Sequence, residues 1–240
     1  MQLCAKAAAS FLLAGLLSFP FTSVHADTSL LTAADRSQLQ TWLGQGDLAL
    51  TNIYTKQTGH TAADFHQAVD GKGRTFSIME ATTAQGQTFV VGGYNPSSWH
   101  SGGSFNMTQD DSDRTAFLFN LSTGSLHRQT LKNFVFDTLG AYQTYNAASY
   151  GPTFGWGHDL FVPNDLTHGG ISLLYSYIEP DGSYFNTSLL DGAPYVAPDI
   201  TFGAMEIYLI NAVPEPATYG LLAAGLGVLG FAARRRRVAA

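Results

Sequence analysis

Two short helical patterns open the central part of the chain. In the first, Asp35 follows Thr32 by three residues, which is a capping-box start, and Gly44 ends the pattern. Its apolar positions on one face are Leu39, Trp42 and Leu43. The second pattern starts at Thr61 and ends at the Asp-Gly-Lys-Gly turn over 70–73, because glycine adopts the left-handed geometry that terminates helices. The residues that this second helix should turn inward are Phe65, Ala68 and Val69.

From residue 75 onward the hydrophobic pattern changes to strands and turns. Strand-forming residues on either side of Gln85-Gly86 predict a β-hairpin, and those on either side of Thr123-Gly124 predict a second one. Further predicted strands cover 159–162, 171–177 and 200–210, and 182–199 is predicted to be a loop. Many short strands with little helix predict a mainly β (α+β) domain, a two-sheet β-sandwich flanked by a few short helices.

The two ends of the chain carry apolar runs of another kind. Lys6 precedes an apolar run over 7–17, and we expect a signal peptide over 1–26 that is cleaved after Ala26. At the other end, seventeen uncharged residues over 217–233 precede the arginine cluster Arg234, Arg235, Arg236 and Arg237. Seventeen helical residues span about 25 Å, which predicts a transmembrane helix near the lower length limit. The arginines should stay cytoplasmic while the preceding chain is exported.

Composition narrows the chemistry of the exported part. Cys4 is the single cysteine and leaves with the predicted signal peptide, which excludes disulfides and thiol catalysis in the mature protein. Residues 27–213 hold seven basic and seventeen acidic residues, so the mature domain carries about ten net negative charges. Nucleic acid is therefore not an expected partner, since its binding needs a basic surface.

The C-terminal segment 212–237 resembles a PEP-CTERM sorting signal. It places Pro214, Glu215 and Pro216 ahead of the small-residue helix and ends on the arginine cluster. The resemblance implies that an exosortase-type processing enzyme cuts near the motif, after transit through the inner membrane. The product would then reach the cell surface or the extracellular matrix. A permanent single-pass membrane anchor is the alternative.

A second resemblance covers 52–211, after an N-terminal helical lead-in over 27–51. The motifs that carry it, in order, are Asp64-Phe65-His66, the turn over 70–73, Gly92-Gly93-Tyr94 with Trp99, the run 116–119 with Leu121, the stretch 154–160, and Glu206-Ile207. Together they resemble the TLDc domain, which implies two packed β-sheets with a few short helices. In eukaryotes that family is associated with oxidation resistance and with binding the vacuolar proton pump, and no accepted catalytic site defines it. Val69 replaces a cysteine that many members have, so only the fold carries over.

Several polar and aromatic residues are candidates for function. His66 and the pair His158 and Asp159 could serve a catalyst or ligand site, but the favoured interpretation is structural hydrogen bonding. In that interpretation the carboxylate of Asp159 accepts from the first backbone amides of its own predicted strand, 159–162. Trp99 could stack on a sugar or cover a sheet edge. The acidic residues Asp110, Asp111 and Asp113 could hold calcium or form a solvated turn. Zinc-binding spacing, a nucleophile elbow and a phosphate loop are all absent from the sequence, so we predict no cofactor and no catalytic residue.

Three functional hypotheses follow from these residues. The preferred one is a non-enzymatic cell-surface or extracellular-matrix protein whose domain contacts a polysaccharide or a surface protein. The second is a calcium-assisted carbohydrate-binding module that uses the acidic loop and Trp99. The third is a hydrolase that uses His158 or His66.

Overall fold

The computed structural model of the chain describes residues 29–132, 139–179, 181–194, 199–211 and 225–226. The predicted signal peptide, the sorting motif and the arginine cluster lie outside these residues, as does the predicted transmembrane helix except for 225–226. Across the ranges given above, no helix has the length and apolar character that crossing a membrane requires.

Both predicted helices are present with the predicted caps. Helix α1 spans Ala33–Leu43, with the Thr32 and Asp35 capping box formed and a left-handed Gly44 at its C-cap. Helix α2 spans Ala62–Val69, and Asp64 accepts hydrogen bonds from both the backbone and the hydroxyl of Thr61. Local capping residues therefore fix where these helices begin.

The strands form two antiparallel sheets, so the chain is mainly β with few short helices, as predicted. The larger sheet has seven strands in the order β1-β9-β2-β3-β5-β6, with β8 paired to β9. The smaller sheet pairs β4 with β7. The strands are β1 Ala49–Thr55, β2 Thr75–Thr82, β3 Thr88–Asn95, β4 Gly102–Met107, β5 Phe117–Asn120, β6 Ser125–Arg128, β7 Tyr142–Ala147, β8 His168–Gly170 and β9 Ile200–Asn211.

Both predicted hairpins are confirmed as β2–β3 and β5–β6, and the predicted strand 200–210 is confirmed as β9. Single turns of 3-10 helix cover Asp111–Asp113 and Leu139–Ala141. Strand β1 pairs with β9 and crosses the expected boundary between residues 51 and 52. The N-terminal segment therefore supplies an edge strand of the large sheet.

Alternating side chains divide the core between the two faces of the large sheet. On β2, Phe76 and Ile78 belong to one apolar cluster, which Leu39 of α1 joins. Met79 and Ala81 belong to the other cluster. That second cluster also contains residues of α2 and of the irregular segment 150–179, so a layer made mostly of loops covers this face.

Two predicted strands are wrong. Within 159–162 and 171–177 the only pairings are the single bridges Phe154 to Leu160 and Phe161 to Ile171. The apolar patterns at these positions are real, since Leu160, Val162 and Leu174 are buried. They reflect burial of irregular chain. Its amides bind single backbone carbonyls at Leu160 and Leu174, and a side chain at 175–177.

The predicted loop over 182–199 is irregular where it is described, at 182–194 and 199. It holds one bridge, Thr187 to Pro194, and buries Leu189 and Leu190 against the core. Asn120 at the end of β5 donates hydrogen bonds to both leucine carbonyls. This loop is therefore packed as a part of the domain.

Candidate functional site

The carboxylate of Asp159 binds the irregular segment around residues 175–177. Its Oδ2 atom accepts hydrogen bonds from three successive backbone amides, those of Tyr175 (2.7 Å), Ser176 (2.7 Å) and Tyr177 (3.0 Å). We expected Asp159 to bind the amides of its own strand, and the structure places it on a different segment. One buried side chain thus replaces the sheet partner that residues 175–177 lack.

The other carboxylate oxygen of Asp159 lies against Gly155. Oδ1 is buried without a hydrogen-bond partner, and a Cβ added at Gly155 would lie 1.7 Å from it. Gly155 also has a φ of +76°, so a side chain there would be both strained and crowded. Burial raises the pKa of Asp159 to about 7, against the lowering effect of the three amide hydrogen bonds.

His158 does not form an acid–base pair with its neighbour. Its backbone is left-handed, with a φ of 63°, and its Nδ1 atom is buried without a hydrogen-bond partner. The imidazole stacks on Phe161 with ring centroids 4.9 Å apart, and burial lowers the pKa of His158. Nδ1 of His158 therefore makes no hydrogen bond to the carboxylate of Asp159.

Trp156 lies between Gly155 and Gly157 in sequence and points outward, with 49% of its surface exposed. Its backbone amide donates to Ser176 Oγ at 2.9 Å, and Ser176 is itself held by Asp159. On its other side, Gly157 lies so close to Tyr175 that an added Cβ would be 2.2 Å from the ring. Buried groups therefore fix the backbone on both sides of an exposed indole.

Two side chains of the small sheet contact this indole. Phe105 of β4 stacks on Trp156 with centroids 5.6 Å apart and planes at 25°, and Tyr142 of β7 lies 4.5 Å from it. Phe105 also contacts Tyr142 and Tyr145, at 4.9 and 4.7 Å. These four residues form what we call the aromatic face: Phe105, Tyr142, Tyr145 and Trp156.

The chain segments that form the aromatic face contain no charged side chain. Strands Gly102–Met107 and Tyr142–Ala147 contain no Asp, Glu, Lys or Arg, and neither does the whole stretch 139–157. Phe105, Tyr142 and Tyr145 are partly buried, and Met107 at the end of β4 is exposed. Trp156 was not among the functional residues predicted from the sequence, although an indole between two glycines, Gly155 and Gly157, could have indicated it.

His66 is fixed by three acceptors. Its Nδ1 lies 2.7 Å from Asp70 Oδ1, and its Nε2 lies 2.9 and 3.0 Å from the carbonyls of Ala147 and Tyr150. Both ring nitrogens therefore face acceptors of the protein itself. The residue lines a shallow surface depression next to Ser101, and its hydrogen bonds join α2 to the end of β7.

Trp99 cannot stack on a sugar in this structure, because it is 1% exposed. Its Nε1 donates to Thr75 Oγ1 at 2.9 Å, and its ring meets Phe65 and Phe154 edge-on. The structure therefore supports a packing role for Trp99, inside the core that covers one face of the large sheet.

The acidic loop carries cationic and amide partners from its own chain. Asp111 Oδ1 accepts from the backbone amide of Lys132 at 2.8 Å, and Asp110 Oδ1 lies 3.3 Å from Lys132 Nζ. Asp113 accepts a long hydrogen bond from Ser112. Among the residues that the structure describes, no group of three acidic, histidine or cysteine side chains is arranged to hold a metal ion.

The comparisons with known proteins agree with both resemblances. The family model of the TLDc domain matches residues 24–211, and that of the PEP-CTERM protein-sorting motif matches 212–237. No curated protein matches the chain.

Proposed function

Since the chain belongs to the TLDc domain family and ends in a PEP-CTERM sorting motif, we propose that it is a non-enzymatic protein of the cell surface or extracellular matrix. The sorting motif marks an exported protein that an exosortase-type enzyme recognises. In our proposal that enzyme cuts near Pro214-Glu215-Pro216 and releases the folded domain. The domain then binds a polysaccharide or a surface protein through exposed side chains.

The arrangement of the two candidate histidines supports a role in binding over a role in catalysis. Both nitrogens of His66 face acceptors, and burial favours the neutral form of His158 while leaving its Nδ1 without a partner. Asp159 uses one oxygen to hold three amides. These residues make contacts inside the fold, whereas Trp156 of the aromatic face is 49% exposed.

The calcium-assisted carbohydrate-binding module is the second candidate. The exposed rings favour its carbohydrate part, but at Trp156 and not at Trp99. Its calcium part would require the ion to displace Lys132 from Asp110 and Asp111. The hydrolase hypothesis would require His66 to give up a carbonyl partner before it could act as a base.

Sorting can be tested by replacing Pro214, Glu215 and Pro216 with alanine in the full chain. We expect the variant to accumulate in the cell envelope while the wild type is released, because the processing enzyme no longer finds its motif. Equal release of both proteins would contradict the proposal.

The non-enzymatic role can be tested by incubating the released protein with glycans, peptides and esters. Turnover that His66→Gln or His158→Gln abolishes would establish the hydrolase instead.

A further inference from the structure

The indole of Trp156 offers one open side. Phe105 packs nearly parallel to it at 5.6 Å and Tyr142 approaches at 4.5 Å, so the protein covers part of the ring system. The remaining 49% of the residue faces solvent. An aromatic ring that is supported on one side and open on the other is suited to stacking against a flat ligand surface.

This indole is also held in place before any ligand arrives. The Trp156 amide is bound by Ser176, and Gly155 and Gly157 lie against Asp159 and Tyr175. Through the Ser176 amide, the buried Asp159 carboxylate supports the same turn. Binding at a fixed ring loses little conformational entropy, which favours affinity for a weakly interacting partner.

The absence of charged side chains on the segments that hold the indole restricts the chemical class of its partner. Residues 139–157 and strand Gly102–Met107 contain no charged side chain, although the mature domain carries about ten net negative charges. A polyanion or an anionic membrane would be repelled by the domain and would find no cation on the aromatic face. An uncharged partner avoids that repulsion and does not need a cation. Tyrosine hydroxyls in the same face can hydrogen-bond to hydroxyl groups of such a partner.

We propose that the aromatic face binds an uncharged polysaccharide, with the apolar side of a sugar ring stacked on the open side of Trp156 and without a metal ion. This inference rests on the proposed function and names the partner class of its domain. Sugar rings combine an apolar side with a polar rim, which matches an indole that Tyr142 contacts directly and that Phe105 joins to Tyr145. Asp159 acts as a positioning residue, since it supports the turn without reaching the surface.

The test is affinity electrophoresis of the exported protein, isolated from its host, through gels that contain one polymer each. The uncharged panel is hydroxyethylcellulose, galactomannan, dextran and laminarin, and alginate is the anionic control. We expect at least one uncharged polymer to retard the wild type. Trp156→Ala should weaken that binding about tenfold, and a chelator should leave it unchanged.

The matched control is Tyr184→Ala, because Tyr184 has the same 49% exposure on the segment that follows residue 181. This control should bind like the wild type. No retardation by any uncharged polymer would overturn the proposal. So would equal binding by Trp156→Ala, or Trp156-dependent binding to lipid vesicles or to alginate alone. These failures leave the sorting assay untouched, so they are distinguishable from a failure of the proposed function.

Discussion

Replacement of Asp159 by asparagine should change how the stability of the domain depends on pH. The asparagine oxygen can still accept from the amides of Tyr175, Ser176 and Tyr177, so the turn that holds Trp156 keeps its shape. The side chain can no longer ionise. The absolute stability can shift because an amide now faces Gly155, but its pH dependence loses the contribution of Asp159.

The sign of that contribution follows from the raised pKa. Burial raises the pKa of Asp159 from 3.8 to about 7 in the folded protein, so the stabilisation is complete below the unfolded pKa and is lost as the pH rises through the folded pKa. Between pH 5 and pH 8 the loss is about 2 to 3 kcal/mol, since one pKa unit corresponds to about 1.4 kcal/mol. The wild type should lose this amount relative to Asp159→Asn.

Urea unfolding of both proteins, followed by tryptophan fluorescence at several pH values, measures the difference. His127 and His158 act in the opposite direction, because burial lowers the pKa of each, but they do so equally in both proteins. Asp181→Asn is the control. Hydrogen bonds from Ser183 lower the pKa of Asp181, so it stays ionised across this pH range and its difference profile should be flat. Parallel stability profiles for wild type and Asp159→Asn would refute the assignment of a protonated, buried carboxyl.

Three further results are expected. Gly155→Ala should destabilise the domain by about 1 to 3 kcal/mol in urea unfolding, because the new methyl group would meet Asp159, and an unchanged midpoint would contradict that contact. Trp99→Phe should cost about 1 to 3 kcal/mol, since Thr75 loses a buried donor, and a neutral effect would show that the hydrogen bond contributes nothing. Millimolar calcium should not raise the melting temperature, and a rise that Asp111→Ala abolishes would favour the calcium-assisted module.

The parts of the fold that local chemistry determines were predictable from the sequence. Capping residues located both helices, and turn glycines with flanking strand formers located both hairpins. Strands β1, β4, β7 and β8 were missed, because long-range pairing forms them and their patterns are only partly apolar. The sequence of strand β4 is typical of a glycine-rich loop, and its strand structure depends on pairing with β7.

The candidate site was only partly predictable for the same reason. That Asp159 would accept backbone hydrogen bonds was expected, but its partners lie sixteen to eighteen residues away and only the folded chain brings them together. Trp99 and Trp156 look equivalent in sequence, and the structure buries the first and exposes the second. Tertiary packing decides which of the two residues is available for binding, and the local sequence pattern does not predict that packing.

The intact mass of the exported protein tests the central claim most directly. We predict a species that starts after Ala26 and ends near Pro214-Glu215-Pro216, because in our proposal an exosortase-type enzyme recognises the sorting motif over 212–237 and cuts near it. The measurement needs only the protein released by its host and a mass spectrum of the undigested chain. A mature species that still carries Arg234, Arg235, Arg236 and Arg237 would contradict the account and establish a permanent membrane anchor.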